Sequence, residues 1–304
     1  MKVFLTGATG FVGQAITERL RADGHIVRML VRKPRAQSGQ GSSTHLGIEE
    51  FRGNVLDASS LSHAVDGIDT VIHLVGIISE IGENIFENVH ARGTQNVIAA
   101  VRTAGIKRFV HMSALGTRPN AVSRYHKTKW TAEQAVRNSG LDWTIFRPSL
   151  IFGPRDQFVN LFAKIIRFSP VVPILADDRV HFQPVAIETV AEAFVKCLNE
   201  PKSIGQTYDL CGPEAFTLRQ IVDEICRVMG RKRLKLRVPL GLSRLQAAFL
   251  EFVFPAVFKQ AAPLNRDQLI MLQEDNLGDP DRANVLFGLE RVVFQEGIAR
   301  YLKG

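Results

Sequence analysis

The sequence predicts an α/β fold: a doubly wound parallel sheet with helices on both faces, joined to a smaller, mostly helical C-terminal lobe. Three observations carry this. Short β-branched runs alternate with longer helical patterns through residues 1–150, a glycine-spaced turn stands between the first strand and the first helix, and beyond about Ile151 the alternation loosens into proline-broken segments. Regular strand–helix alternation marks a parallel sheet, and right-handed crossovers then distribute the helices over both faces.

In chain order, Val3–Thr6, Ile26–Val31, Thr70–Leu74, Arg108–Met112 and Trp143–Phe146 read as strands, with a weaker one at Ile48–Arg52. Phe11–Ala22, Ser60–Val65, Phe86–Thr103 and Lys127–Asn138 read as the helices between them. Ala36–Thr44, rich in Ser, Gly and Gln, reads as a loop without periodicity. Prolines 154, 170, 173, 184, 201, 213, 239, 255 and 263 then break up the second half. Ile187, Ala191, Phe194 and Leu198 recur at helical spacing, so Ile187–Leu198 is expected to pack back on the sheet. The expected division is residues 1–150 with 178–210 as one domain, and 151–177 with 211–304 as the second lobe.

Composition sets limits. A chain of 304 residues with 45% hydrophobic and 22% charged residues is an ordinary globular protein, not a disordered, collagen-like or coiled-coil one. The most apolar stretch, Leu245–Phe258, contains Glu251 and Pro255 and falls short of the ~20 residues of a spanning helix. Met1–Leu5 runs straight into the glycine turn with no room for a signal peptide, so a cytoplasmic location is expected. Cys197, Cys211 and Cys226 are odd in number and lack neighbours at ligand spacing, so neither a disulfide nor a metal site is expected.

Thirty-eight Lys and Arg against 30 Asp and Glu leave a net charge of +8, which favours an anionic partner: a phosphorylated cofactor, an acidic lipid surface or nucleic acid. Nucleic acid fits worst, because no binding module or interleaved aromatics accompany the basic residues. Arg231, Lys232, Arg233, Lys235 and Arg237 alternate with Leu234 and Leu236 as a half-exposed strand with one basic face would. That face reads either as plain solvated surface or as an anionic contact.

Thr6-Gly7-Ala8-Thr9-Gly10-Phe11-Val12-Gly13 spaces its glycines G-x-x-G-x-x-G at the strand-to-helix turn. One glycine suits a positive φ, one a close backbone approach to a pyrophosphate, and one tight helix–strand packing, while the helix N-terminus offers free N–H groups. Gly7, Thr9, Gly10, Phe11, Val12 and Gly13 are therefore candidate dinucleotide contacts in a Rossmann arrangement, the alternative being a purely structural turn. An NAD site would place Asp or Glu at the end of the second strand. Here Val31-Arg32-Lys33-Pro34-Arg35 stands instead, and Arg32 and Lys33 suit a 2′-phosphate, favouring NADP(H) over NAD(H). The alternative is an Arg32 that only faces solvent.

Tyr125 and Lys129 are four apart at the start of the fourth helix and so share one face. A lysine ammonium beside a phenol stabilises the phenolate, as general acid–base chemistry near neutral pH requires. The pattern alone is common on helix surfaces.

Taken together, these motifs resemble the extended and atypical short-chain dehydrogenase/reductases over nearly the whole chain. Gly53-Asn54-Val55-Leu56-Asp57 resembles that family's adenine-pocket turn, although members more often carry Asp where Asn54 stands. Asn88–Asn96, with Gly93-Thr94 inside, resembles its central helix, and Arg147-Pro148-Ser149-Leu150-Ile151-Phe152-Gly153-Pro154 the segment near the nicotinamide. Phe182-Gln183-Pro184-Val185 and Gly212-Pro213-Glu214 resemble second-lobe signatures. The remaining candidate cofactor contacts are Asn54, Val55, Leu74, Val75, Gly76 and Pro148. The resemblance implies that Tyr125 exchanges a proton with the reacting oxygen and that Lys129 tunes it and holds the nicotinamide ribose. Extended members carry a further Ser or Thr where Leu115 stands, leaving Ser113 or Thr117 to supply that hydroxyl.

Residues 262–269 and 272–276 resemble bacterial relatives of the accessory NAD(P)H-binding subunit of respiratory complex I. Two readings follow. As an NADP-dependent oxidoreductase or epimerase, the chain would use Tyr125, Lys129 and Ser113 on a small substrate bound between the sheet and the second lobe. As a non-catalytic protein, it would hold NADPH in a structural, assembly or redox-sensing role peripheral to the inner membrane or within a respiratory complex. Leu242–Phe258, with Leu245, Phe249, Phe252 and Phe258, either caps the substrate pocket, lies against a quinone or lipid, or forms ordinary lobe core. The resemblance also implies a homodimer paired through Phe86–Thr103 and Lys127–Asn138.

Overall fold

The computed structural model describes residues 1–33, 47–175, 177–262 and 264–302. The 34–46 stretch, with Pro34, Arg35 and the loop read at Ala36–Thr44, lies outside the described residues, as does Pro263 of the tail motif.

The first half runs β1 (Lys2–Thr6), α1 (Phe11–Ala22), β2 (Ile26–Val31), β3 (Ile48–Arg52), β4 (Thr70–His73), α2 (Gly93–Thr103), β5 (Arg108–Met112), α3 (Arg124–Arg137) and β6 (Asp142–Pro148). The second continues with β7 (Ile151–Phe152), α4 (Val159–Phe168), β8 (Val171–Ile174), β9 (His181–Phe182), β10 (Val185–Ala186) and α5 (Ile187–Lys196). Then come β11 (Gln206–Leu210), β12 (Phe216–Thr217), α6 (Leu218–Val228), β13 (Leu234–Arg237), α7 (Leu240–Val253), α8 (Arg266–Met271), α9 (Asp281–Phe287) and α10 (Phe294–Leu302).

Seven strands form one parallel sheet in the order β3-β2-β1-β4-β5-β6-β11 among the described residues. This is the doubly wound arrangement, whose ligand crevice opens at the carboxyl ends of the strands where the order reverses, between β1 and β4. Val3, Phe4 and Leu5 are all fully buried, because a central parallel strand is covered on both faces. Val3 and Leu5 pack with Ile16 and Leu20 of α1 and Val190 and Phe194 of α5. Phe4, on the other face, packs with Val97 and Val101 of α2 and Val136 of α3. A third cluster holds α4, α6 and α10 together through Phe162, Ile166, Ile221, Ile225 and Ile298.

Four expectations need correction. Ser60–Val65 is not a helix: a short 3-10 turn, Ala58–Leu61, ends in further turns closed by Gly67. Asp57 accepts from Ser59 N–H and the Ser60 hydroxyl donates to Asp57 O, so side chains absorb backbone groups that a helix would pair. Phe86–Thr103 is two windings, a π-helical segment at Glu87–Arg92 and then α2. The Gly93 N–H reaches Asn88 O, five residues back, and the Thr94 hydroxyl donates to His90 O. Third, α3 starts at Arg124, three residues early, because Ser123 Oγ accepts from His126 N–H as an N-cap. Last, β13 does not bury its leucines beneath one basic face: Lys235 is half-buried against Asp223, Arg237 is exposed and paired with Asp177, and Leu234 and Leu236 point to solvent.

Candidate active site

The turn after β1 is shaped by backbone clearance. Gly7 has φ +76°, and a Cβ there would sit 3.1 Å from Leu74 C and Val75 N, so the β1 and β4 ends run close together. A Cβ on Gly13 would run into Gly7 O and the Ala8 backbone. Gly10 N–H closes the turn on Gly7 O, and α1 begins with neither a side-chain cap nor an acidic residue in its first turn. Its leading amides at Phe11, Val12 and Gly13 are thus left for an anion beside Thr9 and Gly10. These residues fit a dinucleotide pyrophosphate.

Arg32 and Lys33 are exposed at the end of β2. Asn54 folds back, its Oδ1 accepting from Leu56 N–H and its own N–H donating to Ser60 Oγ. Val55 is buried, with its carbonyl taking Asn96 Nδ2 and its side chain against Gly93. Leu74 is buried, Val75 half-buried and Gly76 exposed, and the buried Pro148 ends β6 with its carbonyl accepting from Leu115 N–H. The candidate cofactor contacts therefore gather along the carboxyl edge of the sheet.

Tyr125 and Lys129 stand one turn apart on α3. Lys129 is 2% exposed, and its Nζ donates to Met112 O at 3.0 Å. A Cβ on Gly76 would sit 3.0 Å from that Nζ, so the glycine leaves the ammonium its space. Burial lowers the Lys129 pKa to about 8, opposed by the buried Glu133 carboxylate one turn on. Glu133 in turn accepts from Arg147 and Arg137. Half-buried Tyr125 sits edge-on to His90 and His126, each 5.2 Å away, and to Phe86 at 6.0 Å. Burial pushes its phenol up to about 12.

Ser113 is buried at the end of β5. Its Oγ donates weakly to Thr117 Oγ1 at 3.4 Å, and Thr117 reaches His126 Nδ1 at 3.5 Å. The Leu115 side chain turns away toward Gly278, beside Cys211. Ser113 and Thr117 are thus linked to His126, while Leu115 serves packing.

Four histidines missed in the sequence crowd the same region. His73 shares hydrogen bonds with Thr6 Oγ1 (2.7 Å) and Thr94 Oγ1 (3.0 Å) and stacks on its cross-strand partner His111, 5.5 Å away. His90 pairs with Thr128 Oγ1 and the Ile77 backbone. Both ring nitrogens of His111 are buried without a partner among the described residues. Burial and the Lys129 charge lower His73 to about 3 and His90 to about 2, burial and Arg118 lower His126 to about 4, and burial beside His73 takes His111 well below its usual range. All four are neutral at pH 7. The available signal was their density, since half of the chain's eight histidines fall between positions 73 and 126.

The tail closes over this edge. Asp267 accepts from the N–H groups of Arg124 and Tyr125, Asn265 Nδ2 donates to Ile78 O, and Asn276 links Ser149 to Leu115 O. A pocket of about 340 Å³ opens elsewhere, between Leu175, Arg237, Pro239 and Gln273; Tyr125, Lys129 and Ser113 do not line it.

A doubly wound sheet with a phosphate-ready glycine turn at its crossover defines a nicotinamide-dinucleotide-binding protein of the Rossmann type. The chain belongs to the NAD(P)H-binding family, whose model matches residues 7–201. It is 28% identical over 283 residues to NADH dehydrogenase [ubiquinone] 1 alpha subcomplex subunit 9, mitochondrial, of Arabidopsis thaliana, covering 89% of this chain and 69% of that one. It spans 61% of the 40 kDa subunit of NADH-ubiquinone oxidoreductase of Neurospora crassa. It is 31% identical to (4-alkanoyl-5-oxo-2,5-dihydrofuran-3-yl)methyl phosphate reductase of Streptomyces griseus, over 75% of this chain and 74% of that one. To the ceramide reductase of Caulobacter vibrioides it is 30% identical, over 78% and 73%. Among solved structures, UDP-glucose 4-epimerase of Thermotoga maritima superposes with a TM-score of 0.76 at 17% identity, over 100% of this chain and 99% of that one, a likeness of fold. Among the described residues no helix is long and apolar enough to cross a membrane.

Proposed function

We propose that this chain is an NADP(H)-dependent oxidoreductase or epimerase acting at a carbonyl or alcohol carbon of a small substrate with an apolar part. The observation that carries the reading is the Tyr125–Lys129 pair at the carboxyl edge of the sheet, with Lys129 held by Met112 O beside Gly76. The turn Gly7–Gly13 would hold the pyrophosphate, Arg32 and Lys33 the 2′-phosphate, and Asn54, Val55, Leu74, Val75, Gly76 and Pro148 would line the rest of the cofactor. A bound nicotinamide supplies or accepts the hydride. The chain's own residues handle the proton. Tyr125 passes it to or from the reacting oxygen, and the Lys129 ammonium, mostly protonated below pH 8, favours the phenolate. Ser113, backed by Thr117 and His126, orients that oxygen in place of the hydroxyl missing at Leu115. Two relatives named as reductases, of ceramide and of an alkanoyl-bearing phosphate, support an apolar carbonyl substrate.

A second reading, NADPH held without turnover in a structural, assembly or redox-sensing role, is favoured by Leu115 and by a Tyr125 phenol that burial pushes up to about 12. It draws on the likeness to respiratory NADH dehydrogenase subunits. An ultraviolet pH titration with NADP⁺ bound, compared with Tyr125→Phe, separates the two. Tyr125, Tyr208 and Tyr301 are the chain's tyrosines, and burial raises the latter two. A phenol that falls to near 7 and vanishes in the variant supports catalysis, whereas one still above about 10 overturns it. For the cofactor, NADPH should bind at least about tenfold tighter than NADH, with Arg32→Ala narrowing the gap; equal affinities would exclude NADP(H) preference.

A further inference from the structure

The helix α7 is packed inside out. Its buried positions are the small Ser243 and Ala247, while Leu242, Leu245, Phe249 and Phe252 are 58–78% exposed. At about 100° per residue those four fall within about 80° of arc, opposite the buried pair. Beyond the helix Val257 and Phe258 are also exposed, and the preceding strand β13 turns Leu234 and Leu236 outward. Among the described residues, eight of the seventeen exposed large apolar side chains thus lie in positions 234–258. A contiguous apolar surface of this kind marks an interaction face rather than ordinary surface.

Charge identifies what covers it. Residues 231–259 hold seven Lys and Arg and a single acid, Glu251, whose carboxylate is taken by Arg266. Asp223 and Asp177 accept from Lys235 and Arg237, but Arg231, Lys232, Arg244 and Lys259 are exposed, their side chains without a partner among the described residues. An apolar stripe with bulky aromatics, flanked by free cations, is built to lie in the plane of a bilayer interface whose headgroups are negative. A two-fold pairing of this face with a second copy would instead bring the same cations together.

We infer that α7, with Phe254–Phe258 and β13, is a membrane-docking face that inserts Leu245, Phe249 and Phe252 at the acyl boundary of an anionic bilayer while the flanking Lys and Arg meet the headgroups. This is an interfacial contact, independent of any turnover at Tyr125.

Flotation of the full chain with vesicles tests it. Binding to phosphatidylcholine vesicles containing roughly 30% phosphatidylglycerol should exceed binding to pure phosphatidylcholine by at least about tenfold and weaken as salt rises. Phe249→Asp with Phe252→Asp should lose about tenfold or more of the binding, and Arg231→Glu with Arg244→Glu should lose mainly the preference for phosphatidylglycerol. Both pairs are exposed, so thermal midpoint and NADPH affinity should be unchanged. With Phe252→Trp, emission should shift to the blue on adding the anionic vesicles. The proposal is overturned if the chain ignores the vesicles, if the Asp variants bind as well as the parent, or if the parent is a dimer that these variants dissociate.

Discussion

The Asp267 carboxylate accepts hydrogen bonds from the backbone N–H groups of Arg124 (2.7 Å) and Tyr125 (3.0 Å), so a residue 142 positions downstream holds the first turn of the helix carrying the candidate acid–base. Arg266, its neighbour, is bound by Glu251 of α7, and Arg124 also pairs with Glu80. Tyr125 is therefore positioned from outside its own helix.

Replacing that carboxylate exposes the dependence. Asp267→Ala leaves two helix-start amides unclaimed and should cost about 1–2 kcal/mol in urea unfolding. If turnover is found, kcat should fall more than NADPH affinity, and Asp267→Asn should recover part of it. Unchanged stability and kcat would show that the contact does not position Tyr125.

Gly13 is tested by the smallest change available. The Cβ of Gly13→Ala meets backbone at Gly7 and Ala8, which no rotamer can relieve. Thermal unfolding should register a loss of about 1–3 kcal/mol, and NADPH affinity measured by calorimetry should drop by more than tenfold. Normal binding would contradict a pyrophosphate seat at this turn.

Acid should destabilise the fold steeply. His73, His90, His111 and His126 have folded pKa values below the usual 6.5, so below that pH the unfolded chain takes up protons that the folded one refuses. Their contribution is complete above 6.5 and is lost as pH falls, each histidine adding about 1.4 kcal/mol per pH unit. Lys129 acts at the other end: with its pKa lowered to about 8, its burial penalty is relieved as pH rises from 8 toward 10.5. Unfolding midpoints in urea from pH 7 to 5 should fall faster than in a His73→Gln, His126→Gln variant; parallel curves would sink the explanation.

His111 offers a stabilising change. Its two ring nitrogens are buried without partners among the described residues and so carry a desolvation cost. His111→Leu should raise stability at pH 7 by about 1 kcal/mol and remove one proton from the acid slope. A loss of stability would overturn the reading that the imidazole is unpaired in the folded chain.

Much of the frame was legible because its signals are local. The bounds of α1, β2, β3 and β5 match their hydrophobic periods to the residue, and the spacing of the glycine turn is readable within seven residues, although the clearance at Gly7 is set by Leu74 and Val75 at the end of β4. The Tyr125–Lys129 face follows from helical spacing alone. Where local hydrogen bonds competed, as at Asp57 and Ser60, periodicity misread a turn as a helix.

The sequence by itself determined the alternating strands and helices, the dinucleotide turn and the spacing of the acid–base pair, because each depends on residues only a few positions apart. Tertiary structure alone decided which face of β13 and of α7 turns outward, since an amphipathic pattern separates two faces without saying which one finds a core. It also gathered His73, His90, His111 and His126 around Lys129 and brought Asp267 to Tyr125. Those contacts span tens to more than a hundred residues, and such distances are closed by packing of the whole chain, which no local pattern encodes.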